Sequence, residues 1–246
     1  MANWSDPRIG ASQPATTIGR DVAFDAGLRA HMLSVYNYMA SGVLLTGIVA
    51  MLFARGGVDS LAFRVFSGGG LLAWLIILSP LAIVFTMSFG INRISTGTAR
   101  LLYWTYAVLM GLSLSTIFFV YDLGSIATAF FATAAGFAGL SLWGYTTKKD
   151  LSGMGTFLVM GLFGLIVAML INVFLQNPAM DLAISAIGVL IFAGLTAYDT
   201  QKIKSLYFQV SGTEFHGKAV VMGALTLYLD FINLFLFILR LFGNRN

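Results

Sequence analysis

Two aspartates, Asp199 and Asp230, are the residues of this chain whose type and setting could do chemistry. Asp230 lies near the middle of Ala219–Leu239, a run that is otherwise apolar and long enough to cross a bilayer. An ionised carboxylate at that depth costs on the order of 3 kcal/mol even on the mild insertion scale, so it needs a partner or a task. The nearest basic residue in its own run, Arg240, is about 15 Å away along a helix axis. Asp199 ends the preceding apolar segment, Leu182–Tyr198, within Tyr198-Asp199-Thr200-Gln201-Lys202.

Asp199 has two readings. It can be an interfacial acid paired with Lys202 one helical turn away, an interaction worth little at a surface. Alternatively it meets Asp230. Two carboxylates in contact at low dielectric cannot both ionise near neutral pH, so they hold one shared proton and titrate as a coupled pair. Counting 1.5 Å per residue from Lys218 sets Asp230 roughly 18 Å deep. Contact therefore requires the helix of Asp199 to continue towards Lys204 or Leu206, which would bury Asp199 more deeply than hydropathy alone suggests. Tyr198, Lys202 and Asn233 are the supporting polar residues of such a site. Arg93, in Asn92-Arg93-Ile94-Ser95, also has two readings. Most arginines at a span end snorkel to headgroups. This one can also pair with whichever carboxylate is ionised, and protonation would then release the helix that carries it.

The elements that position these residues follow from composition. Hydrophobic residues make up 58% of the chain and charged ones 10%, against roughly 25% charged in soluble domains. The chain is thus expected to be an all-α integral membrane protein. Neutral stretches run over Met32–Ala54, Val65–Asn92, Leu101–Tyr121, Leu123–Thr147, Leu151–Met180, Leu182–Tyr198 and Ala219–Leu239. A spanning helix needs about 20 residues, so the expected count is seven transmembrane helices, the sixth somewhat short. A six-span arrangement with a re-entrant last segment stays open, because Asp230 weakens the seventh. The expected domains are a flexible cytosolic tail over residues 1–30, one seven-helix transmembrane domain over 31–243, and a C-terminal tail at 244–246. Pro80 sits inside the second span, where it can kink the helix. Paired glycines, among them Gly136 with Gly139, Gly161 with Gly164, and Gly188 with Gly194, are read as sites of close helix approach. The run Phe137–Ser141 is echoed by Phe192–Thr196.

Charge gives the orientation. Arg8, Arg20, Arg29, Arg93, Arg100, Lys148, Lys149, Lys202, Lys204 and Lys218 fall on one side of a seven-span chain, and Arg55, Arg64, Arg240 and Arg245 on the other. The positive-inside bias places the N-terminus in the cytoplasm and the C-terminus outside. The net charge of +4 follows span ends rather than forming a patch, so no nucleic-acid partner is expected. The absence of cysteine removes thiolate chemistry and disulfides. The two histidines, His31 and His216, flank spans and make neither a closed zinc site nor a haem pocket. No span contains the Ser–His pair of an intramembrane serine protease. No cofactor and no enzymatic activity are expected.

The segments Thr196-Ala197-Tyr198-Asp199-Thr200-Gln201-Lys202-Ile203-Lys204 and Leu225-Thr226-Leu227-Tyr228-Leu229-Asp230-Phe231-Ile232-Asn233-Leu234-Phe235 resemble the Bax inhibitor-1 family, also called the transmembrane Bax-inhibitor-motif family. Lys148-Lys149-Asp150-Leu151-Ser152 fits the same pattern, and the resemblance covers about Asp21 to Gly243. It implies seven helices with the last one central and surrounded by the other six. It also implies a pH-sensitive calcium leak governed by an aspartate pair at Asp199 and Asp230, with Arg93 as latch. Calcium would be the transported ion, held weakly and transiently by the two acids, with protons and the bilayer as the other partners. A bacterial inner-membrane location is implied as well.

The chain departs from the family pattern in its long loop between the last two spans and in a second span without an acid. Some bacterial relatives modulate a membrane-bound ATP-dependent protease, which is the alternative function. An intramembrane aspartyl protease also sets two acids on neighbouring helices to share a proton. Against that reading, Asp230 follows Leu227-Tyr228-Leu229 rather than Gly-x-Gly, and no Pro-Ala-Leu occurs.

Overall fold

In lipid every backbone polar group must be satisfied within its own segment, so long neutral runs become helices. The computed structural model describes residues 15–245, with side chains from residue 26 onward. It contains the long helices α1 (Ala15–Ala54), α3 (Leu71–Gly90), α4 (Thr96–Leu114), α6 (Leu123–Thr146), α7 (Ser152–Leu175), α8 (Pro178–Val210) and α9 (His216–Phe242). Two short helices, α2 (Leu61–Ser67) and α5 (Ile117–Val120), lie in or beside the connections. Seven of these helices are long and apolar enough to cross a membrane. Of the tail expected over residues 1–30, residues 1–14 lie outside the described residues, and from Ala15 the backbone is already helical.

Turn chemistry sets the reversals. Asp122 caps α6, Ser95 caps α4, and Asn177 caps α8 with Pro178 in its first turn. Proline there loses nothing, because that N–H would be unpaired anyway. Gln176 adopts φ 49, the left-handed conformation that ends α7 and turns the chain straight into α8. Pro80 is carried within α3. Its missing N–H frees the Ile76 carbonyl, which instead accepts from Ser79 Oγ at 3.0 Å and Ser113 Oγ at 3.4 Å.

The last helix is the hub. In α9, 67% of the most apolar window is buried, against 11% in α7. It packs on α8, α1, α6 and α4, while α3 packs mainly on α4 and α7 mainly on α8. It runs as one continuous helix through Asp230, so the re-entrant alternative does not occur. The phenylalanines of the echoed runs both meet this hub: Phe137 faces Phe231 at 5.6 Å and Phe192 stacks on Phe237 at 5.8 Å.

The paired glycines divide. At Gly188 an added Cβ would lie 2.7 Å from the Phe237 ring, and at Gly194 it would meet Leu158. At Gly136, Gly139 and Gly164 it would meet nothing within 4 Å, so these three do not mediate close approach. The tightest helix crossing belongs instead to Gly144, against the Ala197 backbone, which the paired pattern did not single out. A small residue permits approach without compelling it.

Contacts near the helix ends fix which ends lie together. On the basic face Lys204 Nζ donates to the Tyr145 carbonyl at 2.7 Å and Lys218 Nζ to the Ile91 carbonyl at 3.2 Å. On the opposite face Asp181 receives Arg240 at 3.5 Å and Arg245 at 3.4 Å. Tyr121 forms an antiparallel bridge with Arg245 there.

Candidate functional site

The sixth span is long rather than short. Helix α8 continues unbroken past Asp199 to Val210, so Asp199 lies about 16 Å inside its end. Asp230 lies about 21 Å from the start of α9, within one helical turn of that depth. Both side chains are buried, Asp199 8% and Asp230 4% exposed. Their carboxyl groups meet within hydrogen-bonding reach. Two ionised carboxylates have no donor between them, so a hydrogen bond here requires a proton on one. Asp230 Oδ2 is buried and receives no hydrogen bond from any fixed donor among the described residues.

The pair opens onto a cavity of about 610 Å3 between α7, α8 and α9. Its polar lining runs along two helices: Tyr198, Asp199 and Lys202 from α8, then Thr226, Asp230, Asn233 and Arg240 from α9. Val159, Leu162 and Met169 of α7 form much of the apolar wall. Thr226, Asp230, Asn233 and Arg240 recur at helical spacing and mark one face of α9. The cavity thus extends from Lys202, near the basic face, to Arg240, near the other.

Three supporting residues of the sequence reading are brought to the pair. Lys202 lines the same cavity, acts electrostatically on Asp199, and has its ammonium 5.9 Å from the centre of the Tyr198 ring. Tyr198 can pack against α7 because residue 155 is glycine, and a Cβ there would clash with the edge of the ring. Asn233 Nδ2 donates back to the Leu229 carbonyl at 2.8 Å, and both residues line the cavity.

Arg93 is not brought to the pair. It is exposed in the turn between α3 and α4, its backbone N–H bound to the Gly90 carbonyl at 2.8 Å. It forms no ion pair with either acid and does not line the cavity. In this structure the cation at the pair is Lys202. The turn stays tied to the hub helix through the bond from Lys218 to Ile91.

Two arrangements lay beyond sequence reasoning. Gln201 clamps the loop between α6 and α7: its Oε1 accepts from Leu151 N at 2.9 Å and its Nε2 donates to the Lys149 carbonyl at 2.8 Å. The two motifs Tyr198–Lys202 and Lys148–Ser152 are therefore one structural unit, a link their separate matches could have suggested. His31 and His216 also meet, Nδ1 to Nε2 at 3.1 Å, joining α1 to the start of α9. No cluster of three or more metal-ligating side chains occurs among the described residues.

Known proteins match nearly the whole of this sequence. The family model described as "Inhibitor of apoptosis-promoting Bax1" matches residues 28–246. The inner membrane protein YbhL of Escherichia coli strain K12 is 47% identical over 89% of this chain and 94% of its own length. A Rickettsia prowazekii protein is 44% identical over 96% of this chain and 99% of its own. A Caulobacter vibrioides protein is 44% identical over 92% of each. With the match covering nearly all of the seven helices and both aspartate segments, the chain belongs to the Bax inhibitor-1 family.

Proposed function

We propose that this protein is a non-enzymatic, pH-sensitive leak pathway for calcium across a bacterial inner membrane, gated by the proton shared between Asp199 and Asp230. The observation that carries the reading is the meeting of these two buried carboxyls in the wall of a cavity that runs from Lys202 to Arg240. The inner-membrane location is supported by the likeness to YbhL. The N-terminus then lies in the cytoplasm, since the basic face carries most of the lysines and arginines.

In this mechanism the protonated pair is closed on itself. One carboxyl donates to the other, and Lys202 balances the remaining charge. Loss of the shared proton leaves two carboxylates in contact, which repel and separate. Separated, they offer oxygen ligands to a hard divalent cation. Calcium takes six to eight oxygens, so two carboxylates with Asn233, Thr226 and water form a loose and transient site, suited to passage. Arg93 enters as the latch of a second conformation, in which the turn released from the headgroups swings towards an ionised acid.

Calcium entry into proteoliposomes across a pH series tests this reading. Wild-type flux should change with pH, while Asp199→Asn/Asp230→Asn protein should show a flat profile. Equal flux in both proteins at every pH would end it.

A further inference from the structure

A second cavity is larger than the acidic one. A groove of about 720 Å3 lies between α1 and α6, on a different side of α9. Both helices pack closely on α9 but meet each other little, and Phe231 of α9 forms part of the floor. Alanines at 40, 134 and 138 face into it and leave it deep. Leu33, Leu44 and Leu142 stand exposed along its rim, so the groove opens sideways to the bilayer.

An unfilled space of that size forfeits the dispersion contacts of every atom lining it. Water is a poor occupant, because a buried water needs several polar partners. The groove offers few. Tyr36 and Ser141 are bonded to each other at 2.7 Å, and Ser141 is bonded onward to Thr200 at 2.8 Å. A hydrocarbon chain is the occupant that suits the walls.

Charge selects among hydrocarbons. The end of the groove on the basic face carries exposed Arg29, and Tyr145, also lining it, lies beneath the Lys204 ammonium at 5.0 Å. A guanidinium binds phosphate oxygens in bidentate fashion, and the nearby ammonium adds a second positive charge. We propose that the groove between α1 and α6 is a specific binding site for one anionic phospholipid of the leaflet on the basic face. Its phosphate lies at Arg29 and one acyl chain runs past Ala138 and Ala134 to Phe231.

Phosphatidylglycerol bearing a diazirine in its acyl chain, added to the full-length protein in mild detergent, tests this. Phosphatidylcholine of equal chain length serves as the comparison. Crosslinks should fall on residues 36–44 and 130–142, and Ala138→Trp, which fills the groove from an exposed position, should abolish them. Native mass spectrometry should show Arg29→Gln retaining phosphatidylglycerol roughly tenfold less than wild type, the loss expected of one charge-assisted hydrogen bond. Arg29 is exposed, so this variant folds irrespective of Ala138→Trp. Crosslinks spread equally to Leu75 of α3 and Phe163 of α7 would mean surrounding bilayer lipid only and overturn the proposal. Equal retention of the two lipids by wild-type protein would overturn it as well.

Discussion

Asp230 of α9 rests against Asp199 of α8 inside the protein, and the contact exists only because α8 continues to Val210. A helix ending near Tyr198, as hydropathy would cut it, would leave one acid at the interface and the other alone in the span. The proton between them can be observed directly. Infrared spectra should contain a protonated carboxyl band at neutral pH that is absent from Asp199→Asn/Asp230→Asn protein. Around its midpoint the ratio of the two protonation states should change about tenfold per pH unit. A spectrum without a protonated carboxyl at neutral pH would refute the shared proton, whatever the flux assay returns.

Gln201 gives a prediction about motion. Its two hydrogen bonds hold Lys149 and Leu151, in the loop that joins α6 to α7. Each such bond contributes about 1 kcal/mol net, so losing both costs about 2 kcal/mol locally. Gln201→Ala should therefore speed amide exchange in residues 147–152 by roughly thirtyfold while leaving α9 unchanged. Unaltered exchange in that loop would show that the clamp does not govern it.

What the sequence made legible was whatever energy forces on a chain in lipid. Apolar run length fixed seven spans, and the cost of one mid-span charge pointed to Asp230, to a partner, and to the extension of the helix bearing it. Arg93 was less legible because an arginine at a span end is satisfied equally by headgroups or by an acid, and only the geometry of the turn decides. His31 and His216 were opaque for a different reason: they meet across 185 residues of chain, and no local spacing encodes that. The glycines show the same limit, since Gly188 and Gly144 are pressed by neighbours while Gly136 and Gly139 are not.

Asp122 makes one part of the stability depend on acid pH. Its carboxylate accepts from Ser125 Oγ at 2.6 Å and from Ser125 N at 2.9 Å, capping α6. These bonds, the hydroxyl first and the amide second, hold its carboxyl below the usual carboxylate range. A depressed folded-state value means the contribution is present above the unfolded value, near pH 4, and is lost as pH falls through the folded one. Ser125 Oγ also accepts from Asn244 N at 3.0 Å, so the cap helps secure the C-terminal segment. Asp122→Ala should lower the melting temperature slightly at pH 7, and the gap from wild type should close below about pH 4. A gap that persists unchanged in acid would dissociate the effect from the charge.

Thr46 and Tyr228 form a hydrogen bond whose direction can be deduced. Thr46 Oγ1 lies 2.7 Å from the Ala107 carbonyl and 2.7 Å from Tyr228 Oη. A carbonyl only accepts, so the threonine proton goes to Ala107 and Tyr228 must donate to Thr46. Both side chains are buried, and Tyr106, whose ring lies 5.1 Å from that of Tyr228, already has a buried hydroxyl without a partner among the described residues. Thr46→Val keeps the shape but strands a second phenol, at a cost of about 1–3 kcal/mol. That corresponds to a fall in melting temperature of about 2–10 °C for a chain of this size. Adding Tyr228→Phe removes the stranded hydroxyl, so the double variant should regain much of the loss, with a coupling energy of about 1 kcal/mol or more. Strict additivity of the two substitutions would mean that the two hydroxyls do not depend on each other, and that α1 and α9 are held at this crossing by packing alone.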